Sequence, residues 1–340
     1  KIVLSSTPGF LKKYGLWIGI AGLVVIVWAE HSTHMFSHAR ATGWLLLAIL
    51  AGAVVSGFLF GKRIWCQYIC PLGKLIGQYA TISSVVLRSN SNVCLSQCQT
   101  HDCIKDAGCP MDLHPSASKT TNECILCLSC ARNCPHKAVR LDARFPWQGL
   151  FTQRNWEFSR AFFAILLVAL ILAVKLPAWI ATNDFLPHRV RNLSLFDIPG
   201  SNLLIFAAII IGYFVLVSVV SLLSNAKDFK KSFVYTGYAY LPLAFVGWFN
   251  IYFREFVDHG HEILPLAASI VGLSEYIRMS WVTPNLATLK GLIPIITLVG
   301  ATISLFMLAK IVEDFSIRRV VHRLHQLIMA CTTLLFLFIM

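Results

Sequence analysis

Seven long apolar runs constrain the fold of this chain more than any other feature. A helix needs about 20 apolar residues to cross the hydrocarbon core of a bilayer. Runs that reach or approach this length cover residues 14–29, 43–60, 161–181, 203–223, 233–253, 291–309 and 327–340. Charged residues make up 13% of the chain, against about 25% in soluble domains, which excludes a soluble globular protein. The sequence therefore predicts an all-α polytopic membrane protein with about seven transmembrane helices.

The basic residues predict the orientation of these helices. The chain has 29 Lys and Arg against 16 Asp and Glu, which gives a net charge of +13. With the N-terminus inside, only seven of the 29 basic residues fall on or near the outer side, in agreement with the positive-inside rule. We therefore interpret the basicity as membrane topology and not as nucleic-acid binding. The expected location is a bacterial-type inner membrane, with the N-terminus and the long polar segment in the cytoplasm.

Ten of the eleven cysteines lie between Cys66 and Cys134. Residues 124–135 read C-x2-C-x2-C-x3-C-P, the ferredoxin run that binds a [4Fe-4S] cube, and residues 94–110 are a looser copy, C-x3-C-x4-C-x5-C-P. In two-cluster ferredoxins the fourth cysteine of a run binds the other cube, so the two runs predict two clusters with crossed ligands. The predicted ligands are Cys94, Cys98, Cys103 and Cys134 for the first cluster, and Cys109, Cys124, Cys127 and Cys130 for the second.

Zinc and disulfides are the alternatives for so many cysteines. Zinc sites usually take their ligands as two separated C-x2-4-C pairs, and four cysteines in one tight run with a trailing Pro fit that arrangement poorly. Disulfides need an oxidising compartment, and the ferredoxin-like spacing argues against them. A cube held by four thiolates has no open iron for a substrate, so two adjacent cubes predict electron transfer.

Cys66 and Cys70 are surplus to the two clusters and lie where the second apolar run meets the cytoplasm. Positions four apart share one face of a helix, so these two thiols form a candidate redox pair or a metal-binding pair. Packing as two small buried residues is the alternative.

The apolar runs and the cysteine cluster together predict three domains. These are N-terminal membrane helices in residues 1–65, a cytoplasmic ferredoxin-like domain in residues 66–160, and C-terminal membrane helices in residues 161–340.

The cysteine region resembles the membrane polyferredoxins of the NapH/NosR type over residues 43–160. The likeness rests on Gly61-Lys62-Arg63-x-Trp65-Cys66-x3-Cys70-Pro71-x-Gly73, followed by two cubane motifs that end in Cys134-Pro135-His136-x-Ala138-Val139. It implies a cytoplasmic ferredoxin domain that passes electrons between the quinone pool or the cytoplasm and a periplasmic redox partner. Many members of the family carry a second C-x3-C-P on a later span. Here the matching position reads Ser224-Asn225-Ala226-Lys227, without cysteine.

Histidines and acids on the predicted outer side form a second candidate site. One group of them follows the first apolar run, and the other follows the fifth. The candidate outer site comprises His31, His34, Glu255, Asp258, His259 and His261. Imidazole and carboxylate together suit a metal ion, and the same groups can accept protons from a quinol. Two alternatives are that these residues bind a haem, or that they are solvated polar residues at the membrane boundary.

Together these features predict an iron–sulfur electron-transfer subunit of a membrane-bound oxidoreductase complex, rather than a stand-alone enzyme. Its expected cofactors are two [4Fe-4S] clusters, with a quinone and an outer haem or metal as further candidates. Its expected partners are the lipid bilayer, other subunits of the complex and a periplasmic electron acceptor or donor. The sequence leaves two other functions open, a metal-handling factor for the reduction, uptake or assembly of copper or iron, and a redox-sensing signalling protein.

Overall fold

The computed structural model of the chain divides into two compact units, residues 1–163 and 164–340. The structure describes residues 8–33, 35, 38–60, 63–104, 109–111, 113–116, 124–151, 156–182, 201–223, 229–260, 267, 269–270, 272, 287–315 and 317–340. Most of these residues are helical. This confirms the predicted fold class, an all-α polytopic membrane protein.

Two long apolar helices open the first unit. Helix α1 spans Gly9–Thr33, and helix α2 spans Ala39–Phe60. Large apolar side chains on α2, among them Trp44 and Phe58, are exposed within the unit. Apolar residues on all sides of a helix are typical of a segment surrounded by lipid.

A wide turn connects α2 to the polar segment. Residues Trp65–Ile69 form a π-type turn, helix α3 spans Pro71–Tyr79, and a short 3-10 turn follows at Ala80–Ile82. Pro71 stands in the first turn of α3, where its missing N–H costs no helical hydrogen bond. A new helix thus begins directly after the wide turn.

Glycines let α1 approach this turn closely. A Cβ atom on Gly15 would lie 2.7 Å from the Tyr68 ring, and one on Gly19 would lie 2.5 Å from the Lys74 side chain. Helix α1 packs against both the wide turn and α3. Small residues along one face of a membrane helix therefore serve the packing of the segment that carries Cys66 and Cys70.

A two-stranded antiparallel sheet closes the cysteine-rich insert. Strand β1 spans Val85–Ser89 and strand β2 spans Val139–Ala143, with Val85 opposite Ala143 and Ser89 opposite Val139. Three short helices accompany the sheet, α4 (Ser91–Ser96), α5 (Ser129–Arg132) and α6 (Gln148–Phe151). The two ends of the insert therefore meet, although about fifty residues separate them in the chain.

Arg144 reinforces this closure directly after β2. Its guanidinium donates to the backbone carbonyls of Ala80, Thr81 and Ser83 at 3.2, 3.1 and 2.7 Å. These carbonyls lie between α3 and β1. One side chain therefore ties the exit of the insert to its entrance.

The division between the two units falls inside a long helix, α7. The helices from this point onward are α7 (Phe158–Thr182), α8 (Ser201–Leu222), α9 (Phe229–Tyr238), α10 (Leu241–His259), α11 (Ala287–Lys290), α12 (Leu292–Phe315) and α13 (Arg319–Ile339). Within the second unit, α12 packs against both α10 and α13. A Cβ atom on Gly300 of α12 would lie 2.5 Å from Val246 of α10, so glycine allows the close approach of these two helices.

Six helices among the described residues are long and apolar enough to cross a membrane, namely α1, α2, α7, α8, α12 and α13. The predicted fifth span, residues 233–253, is broken at Ala239 and Tyr240 into α9 and α10. Pro242 explains the break, because it lacks an N–H and favours the first turn of a new helix. The predicted last span is longer than expected and begins at Arg319.

A buried polar network explains how α13 accommodates histidine. The His325 ring is fully buried, with Nδ1 2.9 Å from the Tyr240 hydroxyl and Nε2 3.4 Å from Ser221 Oγ. Ser221 donates its own proton to the carbonyl of Val217 at 2.9 Å, so its oxygen accepts from Nε2–H, and Nδ1 accepts from Tyr240. The neutral imidazole therefore has both ring nitrogens satisfied and connects α8, the α9–α10 junction and α13.

Replacing His325 by Leu should lower the stability of the second unit. The substitution removes the acceptor of the Tyr240 hydroxyl and the donor to Ser221 Oγ, which keeps its bond to Val217, and this costs about 1 kcal/mol or more. His322→Leu is the matched control, because His322 Nδ1 is buried without a hydrogen-bond partner among the described residues. Thermal unfolding in detergent measures both variants, and equal melting temperatures for the two would contradict the network.

Candidate metal centre

The sheet brings the first and last cysteines of the insert together. The Asn90 N–H donates to the Ala138 carbonyl at 2.8 Å, which extends the pairing of β1 and β2 by one step. The Asn90 side chain also accepts from the Asn92 N–H at 3.2 Å and caps α4. Cys94 lies on α4, and Cys134 lies four residues before Ala138. Cys94 and Cys134, which are forty positions apart in the chain, thus lie on neighbouring segments.

Four thiols form a first group near this end of the sheet. Burial raises the pKa of Cys94, and negative charge on Cys134 and Cys98 raises it further. The pKa of Cys103 is raised by burial and then by charge on Cys134, Cys98 and Cys94. Charge on Cys98 and Cys134 therefore acts on both Cys94 and Cys103, which brings the four residues into one group.

The other four thiols form a second group. Burial raises the pKa of Cys130 to about 11, and charges on Cys124, Cys109 and Cys127 contribute to the rise. The pKa of Cys124 is also raised, first by burial and then by Cys109 and Cys127, against a lowering hydrogen bond from the Leu126 N–H. Each group thus joins cysteines from both sequence runs.

Backbone amides point at several of these sulfurs. The Ser129 N–H is the largest cause of a lowered pKa at Cys127, and the Ala138 N–H donates to Cys134 Sγ at 3.4 Å. Leu126 and Leu128 adopt left-handed backbone conformations with φ of 52° and 60°, which cost about 1–2 kcal/mol each for residues other than glycine. Strain of this kind gathers at ligand-binding sites. The backbone of this loop is therefore strained, and its strained conformation arranges N–H donors around the thiols.

This donor chemistry fits an iron–sulfur cube. Cubes are held by four thiolates, and hydrogen bonds to sulfur tune them. Within the described residues, no three His, Cys, Asp or Glu side chains are grouped to hold a single metal ion. Four thiolates on one zinc ion converge at about 2.3 Å from its centre, whereas a cube binds each thiolate to a different iron and needs a wider group.

Cys66 and Cys70 line a cavity beside the second group. The cavity has a volume of about 420 Å³ and also borders Cys124. Three cations, Arg63, Lys74 and Arg160, and several apolar residues complete its wall. Both surplus thiols therefore face the same space as a thiol of the second group.

Two residues outside the predicted site position this cavity. The buried Gln67 side chain donates to the Met111 carbonyl at 2.7 Å, which fixes the wide turn against the segment after Cys109. A Cβ atom on Gly73 would lie 2.2 Å from the Cys66 carbonyl. A polar residue between two cysteines in an otherwise apolar stretch was the available sequence signal for Gln67. Nothing in the sequence indicated which residue Gln67 contacts.

The candidate outer site is only partly described. His34 and His261 lie outside the described residues. His31 lies on α1 in the first unit, and Glu255, Asp258 and His259 lie on α10 in the second. The Asp258 carboxylate forms an ion pair with Lys290, whose hydrogen bond lowers the pKa of Asp258. A shared outer site stays a prediction.

Residues 42–82 match a family described as a 4Fe-4S binding domain. An Escherichia coli (strain K12) protein, YccM, whose proposed role is electron transport, is 34% identical over 80 residues, which is 23% of this chain and 21% of that protein. An uncharacterised protein of Methanocaldococcus jannaschii is 30% identical over 100 residues, 29% of this chain and 37% of that protein. The chain therefore matches only about a fifth to two fifths of the length of these relatives. No solved structure matches it.

The matched family segment contains Cys66 and Cys70 and none of the eight cysteines of the two groups. The iron–sulfur signature thus begins at the membrane boundary, before the ferredoxin-like runs. These comparisons support an iron–sulfur protein of the electron-transfer kind, and the NapH/NosR type stays a prediction.

Gly73→Ala should disturb this boundary segment. The added methyl group collides with the Cys66 carbonyl, so the wide turn must shift, even though Ala is normally favoured over Gly in helices by about 1 kcal/mol. Gly57→Ala on α2 is the control, because a Cβ atom there meets nothing within 4 Å. Thermal unfolding in detergent should show a loss for the first variant and no loss for the second. A gain in both would contradict the close approach.

Proposed function

We propose that this chain is a membrane-anchored iron–sulfur electron-transfer subunit, which passes electrons between the quinone pool or a cytoplasmic donor and a periplasmic redox partner. The observation that carries the proposal is the grouping of eight thiols into two sets of four. The first set would hold one [4Fe-4S] cluster, and the second set would hold another. Such clusters accept and donate single electrons without binding a substrate at iron.

The residues of this chain would have distinct tasks in that process. The thiols would hold the two clusters, and the amides of Ser129 and Ala138 would stabilise negative charge on Cys127 and Cys134. The sheet and Arg144 keep the insert closed beside the membrane helices. The basic residues after the second span support a cytoplasmic position for the insert, by the positive-inside rule.

The cavity beside Cys66 and Cys70 is the proposed place where a quinone meets the electron path. It follows α2 directly, its wall is largely apolar, and Cys124 of the second thiol group borders it. Largely apolar pockets with a few polar groups are typical of small-molecule sites. On the outer side, the segments with His31, Glu255 and His259 are the proposed exit toward a periplasmic partner, a metal or a haem. Another carrier must cover the hydrocarbon layer between the two faces.

A metal-handling role is the second candidate function. Cys66, Cys70 and Met111 all border the same cavity, and thiolate and thioether sulfur are the ligands that select Cu(I). In this reading the clusters supply the electron that reduces the metal. Copper bound to the anaerobically purified protein after dialysis would favour this role over quinone chemistry.

Iron and sulfide analysis tests the cluster assignment. We expect about eight iron and eight acid-labile sulfide per chain, because two complete sets of four thiols make two cubes. Cys127→Ala should lose about half of both. Cys331→Ala is the matched control, since this cysteine lies on α13, outside the insert. Zinc in place of iron in anaerobically purified protein would overturn the proposal.

Serine at both Cys66 and Cys70 tests the boundary pair. We expect the iron and sulfide content to stay close to the original, because these thiols belong to neither set of four. Electron transfer should stop or fall at least tenfold, as measured by the reoxidation of the clusters by a water-soluble quinone. Unchanged rates at unchanged abundance would leave only a packing role for this pair.

A further inference from the structure

An exposed basic face lies beside the last cysteine of the insert. It consists of Arg88, Arg132, Lys137 and Arg140, and all four side chains are exposed. From Cys124 to Leu141 the chain contains no Asp or Glu. Three of the four residues of the basic face, all but Arg88, thus lie in a stretch of sequence without acidic residues.

The fold places these positive charges together although the repulsion between like charges is unfavourable. Arg88 on β1 lies directly opposite Arg140 on β2, and like charges in such positions destabilise a sheet. Arg88 is relieved by an ion pair with Asp142 at 3.3 Å. Within the part of the insert that the structure describes, Arg132, Lys137 and Arg140 form no ion pair. Their charge is therefore available to a partner.

The basic face is fixed rigidly to the thiols. The Lys137 N–H donates to the Cys134 carbonyl at 3.2 Å, and the next amide, that of Ala138, donates to Cys134 Sγ. Lys137 has a φ of 48°, a left-handed conformation that L-residues rarely adopt. Arg132 lies between Cys130 and Cys134, which belong to different thiol groups. The backbone of Lys137 and Ala138 is therefore tied to Cys134, and Arg132 lies between members of both groups.

Exposed apolar side chains accompany the charges. Ile125 and Leu126 in the cysteine loop are 41% and 36% exposed. Short-lived redox complexes bury little surface, with apolar contacts at the centre and polar groups at the rim. The insert has both elements next to its thiols.

We propose that the basic face is the docking surface for a small acidic electron-carrier protein. This inference rests on the proposed function and names the class of its cytoplasmic partner. Complementary charge raises the rate of encounter and orients the carrier. The rate of electron tunnelling falls steeply with distance, so a carrier docked beside Cys134 is close enough to exchange electrons with the cluster. In each encounter one electron passes between carrier and cluster, one being oxidised as the other is reduced, and no bond or proton is exchanged.

Charge reversal tests the docking surface. The probe is a small acidic [2Fe-2S] ferredoxin, used with the full chain in nanodiscs of phosphatidylcholine. Lys137→Glu with Arg140→Glu should lower the second-order rate of cluster reduction by the reduced ferredoxin about tenfold or more at low salt. The difference should vanish at high salt, because exposed charges are then screened. Binding of the oxidised, labelled ferredoxin, measured by fluorescence anisotropy, should weaken in parallel.

Three controls separate the possible failures. Lys230→Glu with Lys231→Glu reverses two exposed charges on α9 of the second unit, the same total change in charge, and should leave the rate unchanged. Reduced methyl viologen needs no docking surface and should reduce all variants equally. Clusters that are absent, or that methyl viologen cannot reduce, would refute the proposed function itself.

The remaining outcomes decide the docking proposal alone. Ferredoxin rates and affinities that are equal in the double variant and the original protein would overturn it. An effect seen only in nanodiscs containing phosphatidylglycerol would also overturn it, since the basic face would then contact anionic lipid.

Discussion

The antiparallel pairing of β1 with β2 is the interaction on which the rest of the insert depends. It joins Ser89 to Val139 and encloses all eight cysteines of the two thiol groups. The entropic cost of closing a loop of this length is moderate, because each doubling of loop length adds only about 0.6 kcal/mol. A two-stranded sheet is marginally stable by itself, however. The bonds from Arg144 and a bound metal group must supply what the short sheet lacks.

The membrane helices also depend on a few specific contacts, which here set the packing of one helix against another. Apolar side chains supply the surface that meets lipid, while some of the buried polar groups find partners on neighbouring helices. Asn250 on α10 donates to Thr297 on α12 at 2.7 Å, and the Leu243 N–H donates to Ser304 at 3.0 Å. Such bonds, together with the close approach at Gly300, define how α10 and α12 pack. Specific packing in this unit is therefore set by a small number of polar and small residues.

Much of the architecture could be predicted from hydropathy and spacing, because both report on local chemistry. The apolar run at residues 161–181 became most of α7, and the run at 43–60 became most of α2. The fifth run was predicted as one span because its composition is apolar, but Pro242 decides where a helix can start. The start of α13 was missed because His325 looks polar in sequence, and only Tyr240 and Ser221 make its burial acceptable.

The candidate site shows a similar limit. Cysteine spacing is local and was readable, whereas the contact of Gln67 with Met111 and that of Gly73 with the Cys66 carbonyl depend on the tertiary fold. The assignment of individual cysteines to clusters stays a prediction, and so does the outer site, because His34 and His261 lie outside the described residues.

The crossing of the chain between its two thiol groups has a consequence for how cofactors are acquired. The chain passes through Cys94, Cys98 and Cys103, continues through all four members of the second group, and returns to the first at Cys134. Whatever binds the first group therefore shortens the free loop that must close around the second, and the entropy lost in the first binding event is not lost again. With crossed ligands, filling of the unsubstituted chain would for this reason be positively cooperative, and half-filled chains would be scarce relative to empty and full ones.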